Sequence, residues 1–306
     1  MSSIPDLSVE ISGFKMKNPT MLAAGILGVS IPLLRRVLEA GAGGVVTKSI
    51  GVGQRKGYET PNIVEVSCGY VNAVGLSNPG IDEFLEELQK SDISDMPIIV
   101  SIFGKSEMEF FELVSKLDKT DVKGFELNLS CPHVSGVGAE IGSDPNMVYK
   151  ITKEVKRCSK KPIFVKISPN VTDHIEIARA AEDGGADGIV AINTLRAMVI
   201  DIETGRPILS NRVGGLSGPA IKPVAVRYVY DISRNVKIPV IGCGGINHWE
   251  DAIEFMLAGA SAVQIGTAIA YKGLNVFNEI LYGISEYLKR KGHHSVKEIV
   301  GLSHKF

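Results

Sequence analysis

One unit recurs along this chain: a helical stretch, a glycine break, then a short β-branched run. It reads Leu38-Glu-Ala-Gly-Ala-Gly-Gly-Val-Val-Thr47, then Ala181-Glu-Asp-Gly-Gly-Ala-Asp-Gly-Ile-Val190, then Met256-Leu-Ala-Gly-Ala-Ser-Ala-Val-Gln-Ile265. Glycine just past a helix end adopts the left-handed conformation that turns the chain, here into a strand. A second unit interleaves with it. Pro97, Pro162 and Pro239 each precede an apolar run, a place where a missing N–H does not break the ladder. The runs are continuously apolar, as in parallel strands covered on both faces.

Eight strands are expected, near 21–24, 44–47, 98–102, 124–128, 163–167, 188–192, 239–242 and 262–265. Helical patterns lie between them. Ser30 can N-cap the first, with Pro32 in its opening turn and Leu33, Leu34, Val37 and Leu38 on one face. The others fall at 81–90, 106–118, 145–158, 173–183, 219–234, 248–258 and 275–290. Eight alternations predict an α/β chain folded as a (β/α)8 TIM barrel, an architecture of roughly 250 residues. A doubly wound open sheet is the alternative. The chain has 306 residues, so the surplus forms an N-terminal extension, 1–20, and long βα-loop insertions at 49–80 and 194–217. Loops of that length are usually lids or small added strands. No linker or composition shift divides 1–306, so one domain is expected.

Lys plus Arg number 33 against 34 Asp plus Glu, which argues against a nucleic-acid binder. The stretch 21–34 is too short, and too interrupted by Gly25, Gly28, Ser30 and Pro32, to span a bilayer. The N-terminus lacks a signal-peptide pattern, so a cytoplasmic protein off the membrane is expected. Cys68, Cys131, Cys158 and Cys243 form no CxxC pair. Metal ligation and disulfides are therefore not expected, and the default for each is a small buried apolar residue.

In such barrels the active site lies at the C-terminal ends of the strands. The exits here are Ala24-Gly25, Lys48-Ser49, Ser101, Asn128, Lys166, Asn193-Thr194, Gly244-Gly245 and Gly266-Thr267. Two lysines and two asparagines at four exits should converge on one mouth. The glycines after strands seven and eight suit a phosphate, carried by a substrate or by flavin mononucleotide (FMN). The basic segment 51–57 matches no nucleotide-binding fingerprint and reads as a mobile loop. The strongest local feature is Asn128-Leu-Ser-Cys-Pro-His133. Pro132 cannot continue the strand, so Cys131 belongs on a loop at the mouth. A thiol there can act as base or nucleophile.

Asn128-Leu-Ser-Cys-Pro resembles the active-site loop of class 1 dihydroorotate dehydrogenases. So do Lys48-Ser49, Asn72-Ala-Val-Gly-Leu76, Ile192-Asn-Thr-Leu195, Gly214-Gly-Leu-Ser-Gly-Pro219 and Gly244-Gly-Ile246. The likeness runs from Asn18-Pro19 to Gly301-Leu-Ser-His304, and 192–223 looks most like class 1B. The resemblance implies an FMN enzyme that oxidises (S)-dihydroorotate to orotate in pyrimidine synthesis. Cys131 would be the base at C5, with the C6 hydride passing to flavin N5. Lys166 would stabilise reduced flavin, and Lys48 would contact both flavin and the substrate carboxylate. Asn72, Ala73, Val74, Gly75, Leu76, Asn128, Asn193 and Thr194 map to substrate contacts. Ala24, Lys48, Ser49, Ser101, Asn128, Lys166, Ile192, Gly218, Gly244, Gly245, Gly266 and Thr267 map to FMN.

Two positions depart from the family. His133 replaces a common asparagine, and Ser101 is shorter than the asparagine of some relatives. Gly136 and Gly138 suit a lid over 133–142, expected to be poorly ordered without ligand. Class 1B implies an electron-transfer partner subunit carrying FAD and a [2Fe-2S] cluster, and a homodimer or heterotetramer. The rivals are a fumarate-using class 1A or dihydropyrimidine dehydrogenase-like flavoenzyme, a flavin-free aldolase or isomerase with a Lys166 Schiff base, and a non-catalytic ligand-binding barrel.

Overall fold

The computed structural model describes residues 4–129 and 141–306. Eight strands form a closed parallel barrel in chain order: β1 Thr20–Leu22, β2 Gly44–Val46, β3 Ile98–Ile102, β4 Gly124–Asn128, β5 Ile163–Ile167, β6 Gly188–Ala191, β7 Val240–Cys243 and β8 Ala260–Ile265. β8 returns to β1, with Val263 opposite Thr20. Closure excludes the doubly wound sheet, and all eight expected strands are present to within two or three residues.

The punctuation works as the residue chemistry requires. The carbonyls of Pro97, Pro162 and Pro239 accept from Val45, Phe125 and Ile189, so each proline extends a ladder through its acceptor. After three helices the chain turns at Gly41, Gly185 and Gly259, with φ of 111°, 93° and 118°. Barrel strands are almost wholly buried. Helices cover them with apolar faces, including the fully buried Phe84, Phe110, Phe255 and Phe277. Each such ring contributes about 1.5–3 kcal/mol of transfer free energy.

The helices differ from expectation mainly at their ends. In Ile31–Glu39, Ser30 is the N-cap residue, but its side chain makes no capping bond. The Ile31 N–H donates to Glu87 Oε1 on the next helix, Ile81–Gln89, at 3.0 Å. The expected 219–234 helix divides into a 3-10 turn, Pro219–Ile221, and the α-helix Lys222–Ser233. A short helix, Ala268–Lys272, was not foreseen. Among the described residues no helix is long and apolar enough to cross a membrane.

The surplus segments become small sheets at the two ends of the barrel. The N-terminal hairpin Val9–Ile11/Phe14–Met16 lies beneath the strand N-termini. Its Phe14 ring meets Phe164 edge-on at 6.3 Å. A Cβ at Gly44 would lie 2.8 Å from Met16 Sδ and 3.3 Å from Phe14 Cζ, so the plug packs directly on that residue. At the other end Ile63–Val66, Gly69–Asn72, Val213–Ser217 and Leu195–Met198 form an antiparallel sheet from both long insertions. It stands beside the mouth.

Candidate active site

The strand exits do converge. A cavity of about 450 Å3 opens at the C-terminal ends of the strands, within the usual range for ligand sites. Ala24, Lys48, Ser49, Asn128 and Lys166 line one part, and Ile192, Asn193 and Thr194 another. Gly218, Gly244, Gly245, Gly266 and Thr267 complete the glycine-rich side, and Asn72, Val74, Gly75 and Leu76 form a wall.

Two expected contacts are absent from the lining. Ala73 faces away, because side chains alternate on leaving Gly69–Asn72; it packs with Val71 and Leu209 inside the small sheet. Ser101 is fully buried behind Ser49, with Oγ···Oγ at 2.9 Å. Asn128 Nδ2 donates to the same Ser49 Oγ at 2.9 Å. Ser101 therefore orients Ser49 and, through it, Asn128, rather than reaching the cavity.

The floor is an ionic cluster. Lys166 Nζ donates to Gln264 Oε1 at 3.0 Å and lies 3.7 Å from Glu126 Oε1. Gln264 Nε2 donates to Glu126 Oε2 at 2.6 Å. Burial opposes the Lys166 charge, but the Glu126 carboxylate beside it outweighs that, and its pKa is raised. Burial pushes the Cys243 thiol up. Burial also lowers the pKa of Lys48, and an anion arriving beside it would raise it again.

The glycine-rich side is braced from behind. Asp251 accepts from Lys222 Nζ at 2.9 Å and from the backbone N–H groups of Asn247 and His248 at 2.9 and 2.8 Å. Burial alone would raise its pKa; these donors hold it below the ordinary 3.8. A depressed carboxylate contributes stability above its unfolded pKa and loses it as pH falls through the folded value. Asp251→Asn should therefore cost about 1.5–3 kcal/mol at neutral pH. In denaturant melts, the gap to wild type should narrow as pH falls below 3.8.

The cavity fits FMN. A Cβ at Gly266 would enter nearly open space, its nearest neighbour Ala23 Cβ at 3.4 Å, and one at Gly25 would meet nothing within 4 Å. Asn247, which lines the cavity, has its Oδ1 buried without a partner among the described residues. Lys48 and Lys166 are matched to an anionic cofactor and substrate.

Tyr70, Ile63, Asn247, Cys243 and Gln264 also line the cavity and were missed from sequence. Tyr70 packs against Tyr271 at the rim, ring centroids 5.3 Å apart. Cys68 is exposed and Cys158 half-buried, so only Cys243 of the described cysteines meets the buried default. Cys131, His133 and most of the expected lid lie outside the described residues. Of 133–142, residues 141 and 142 are described and are buried in the turn Ile141–Ser143. The segment 51–57, expected to be loose, is tied down through Arg55.

The sequence model of one family, dihydroorotate dehydrogenase, matches residues 6–288. Curated relatives agree over nearly their full length. The chain is 54% identical over 299 residues to a Pyrococcus furiosus protein, covering 98% of this chain and 99% of that one. It is 55% identical over 297 residues to a Pyrococcus abyssi protein, covering 97% and 99%. It is 49% identical over 302 residues to a Methanocaldococcus jannaschii protein, covering 97% and 98%. Each is named dihydroorotate dehydrogenase B (NAD(+)), catalytic subunit. With its closed barrel and lysine-floored cavity, this chain belongs to the dihydroorotate dehydrogenase family.

Proposed function

We propose that the chain is the FMN-carrying catalytic subunit of an NAD-linked dihydroorotate dehydrogenase. It oxidises (S)-dihydroorotate to orotate in pyrimidine synthesis. The observation that carries this reading is the meeting of Lys48, Lys166, Asn72, Asn128 and Asn193 around one glycine-lined cavity.

The flavin, when bound, supplies the acceptor for the C6 hydride. The chain's own groups do the rest. Cys131, three residues beyond Asn128, takes the proton from C5. Lys166 is held as a fixed ammonium at the floor, where negative charge develops. Lys48 meets the substrate carboxylate and the cofactor. Asn72, Asn128, Asn193 and Thr194 offer donors and acceptors to a flat cyclic imide. Ala24, Ser49, Ile192, Gly218, Gly244, Gly245, Gly266 and Thr267 hold FMN.

The relatives' names as catalytic subunits support a second subunit. This chain has no cluster-binding cysteine set and no dinucleotide fingerprint, so its use of NAD requires a partner, which the resemblance to class 1B implies carries FAD and a [2Fe-2S] cluster. The purified chain should be yellow and release FMN on acid treatment. Dihydroorotate should bleach the bound flavin without oxygen, and NAD should be reduced only when the partner is added. A colourless protein that takes up no FMN would remove the flavin reading. Fumarate reduction by the chain alone would move it to class 1A.

A further inference from the structure

Residues 74–77 follow the small sheet without regular structure of their own, yet their backbone is tightly specified. Three consecutive carbonyls are each held from outside the cavity. Val74 O accepts from the Tyr58 N–H at 3.0 Å, Gly75 O from Arg55 Nε at 2.7 Å, and Leu76 O from Asn78 Nδ2 at 2.8 Å. Arg55 and Asn78 also exchange both backbone bonds at 2.9 Å, as an isolated antiparallel bridge. The Asn78 Oδ1 accepts from the N–H groups of Gly51 and Gly80 at 3.2 and 2.9 Å.

This clamp holds an unusual backbone. Gly75 and Leu76 both have positive φ, 79° and 57°. For leucine that conformation is disfavoured and needs outside support. The approach is also close: a Cβ at Gly57 would lie 2.3 Å from Val74 O, and one at Gly75 would lie 2.9 Å from Tyr58 N.

In a trans peptide the N–H points opposite to the preceding carbonyl. Carbonyls 74, 75 and 76 turned toward Tyr58, Arg55 and Asn78 therefore direct the N–H groups of Gly75, Leu76 and Ser77 the other way. None of those three N–H groups has a partner among the described residues. Val74, Gly75 and Leu76 line the cavity, while Arg55, Tyr58 and Asn78 do not. Successive N–H groups turned to one side form an anion-binding concavity.

We propose that Arg55 and Asn78 are positioning residues, which hold this backbone so that the N–H groups of Gly75 and Leu76 face the anionic substrate. Arg55 touches no reacting group and acts through the carbonyl of Gly75. The inference rests on the reading that the Asn72–Leu76 wall binds substrate.

The test compares Arg55→Met, Arg55→Lys and Asn72→Ala. Arg55→Met keeps the aliphatic stem and removes the donor. It should weaken orotate binding, measured by calorimetry, about tenfold or more. The KM for dihydroorotate should rise by more than kcat falls, and the FMN content should match wild type. Arg55→Lys restores a donor and should recover most of the binding. Orotate affinity in Arg55→Met within twofold of wild type, with Asn72→Ala strongly impaired, overturns the clamp alone. Equal losses in FMN content, kcat and thermal stability that lysine does not rescue overturn it too. If Asn72→Ala also binds orotate normally, the wall itself is misread.

Discussion

Cys131→Ala should retain its flavin and bind orotate, yet have that flavin reduced by dihydroorotate about 10²–10⁴ times more slowly. The C5 proton is weakly acidic, and a positioned base is what the substitution removes. Neither FMN nor orotate binding depends on the thiol in this reading, because Lys48, Lys166 and the asparagines supply those contacts. The measurement is single-turnover flavin bleaching in a stopped-flow instrument without oxygen. Reduction within threefold of wild type would remove Cys131 as the base. Cys131→Ser gives an intermediate case: it keeps a protonatable oxygen whose pKa is far above that of a thiol. Its rate should lie below wild type and approach it as pH rises.

Glu126→Ala should destabilise the folded chain by about 3–5 kcal/mol, the usual cost of leaving one member of a buried ion pair alone. The side chains of Lys166 and Glu126 are 6% and 1% exposed, so solvent does not screen the charge left behind. Gln264 remains to accept from Lys166 but supplies no counter-charge. Burial disfavours the Lys166 ammonium; the Glu126 carboxylate raises its pKa above the ordinary 10.5. A raised lysine contributes stability that is complete below its unfolded pKa and lost only as pH rises through the folded value. In the variant Glu126 no longer opposes burial, so the Lys166 pKa falls and the deficit should shrink as pH rises toward the ordinary 10.5 in denaturant melts. Replacing the whole buried network, as Glu126→Leu with Lys166→Met and Gln264→Met, should recover much of the stability, since apolar groups of similar volume often substitute well and no buried amide is left unpaired. That triple variant should still have a lower flavin reduction potential, because the floor no longer holds a cation. A triple variant as unstable as Glu126→Ala would show that the deficit does not come from the unpaired ammonium.

The barrel was legible because its signals are local. Proline before an apolar run and glycine after a helix mark strand entry and helix exit within a few residues of chain. The convergence of Lys48, Asn128 and Lys166 followed from barrel geometry alone. The small sheet was not legible. Ile63–Val66 and Leu195–Met198 alternate between half-buried and exposed, and the two halves of the sheet are joined only where Gly69–Asn72 pairs with Val213–Ser217, more than a hundred residues further on. Arg55 was overlooked because a glycine-rich basic stretch has no periodicity, and its role is set by a carbonyl twenty residues away. Glu126 and Gln264 did leave a signal. Each is a polar residue inside an otherwise apolar strand, and such a residue in a two-sided strand needs a partner. Ser30 carried a sound capping pattern that Glu87, from a neighbouring helix, superseded.

The N-terminal hairpin has a bearing on proton traffic. With Phe14 against Phe164 and Met16 over Gly44, the lower end of the barrel is stoppered by apolar side chains. The polar approach to the ammonium among the described residues is the cavity itself. A proton leaving Lys166 toward that opening must pass any molecule lodged there, so an occupant slows its exchange for as long as it stays.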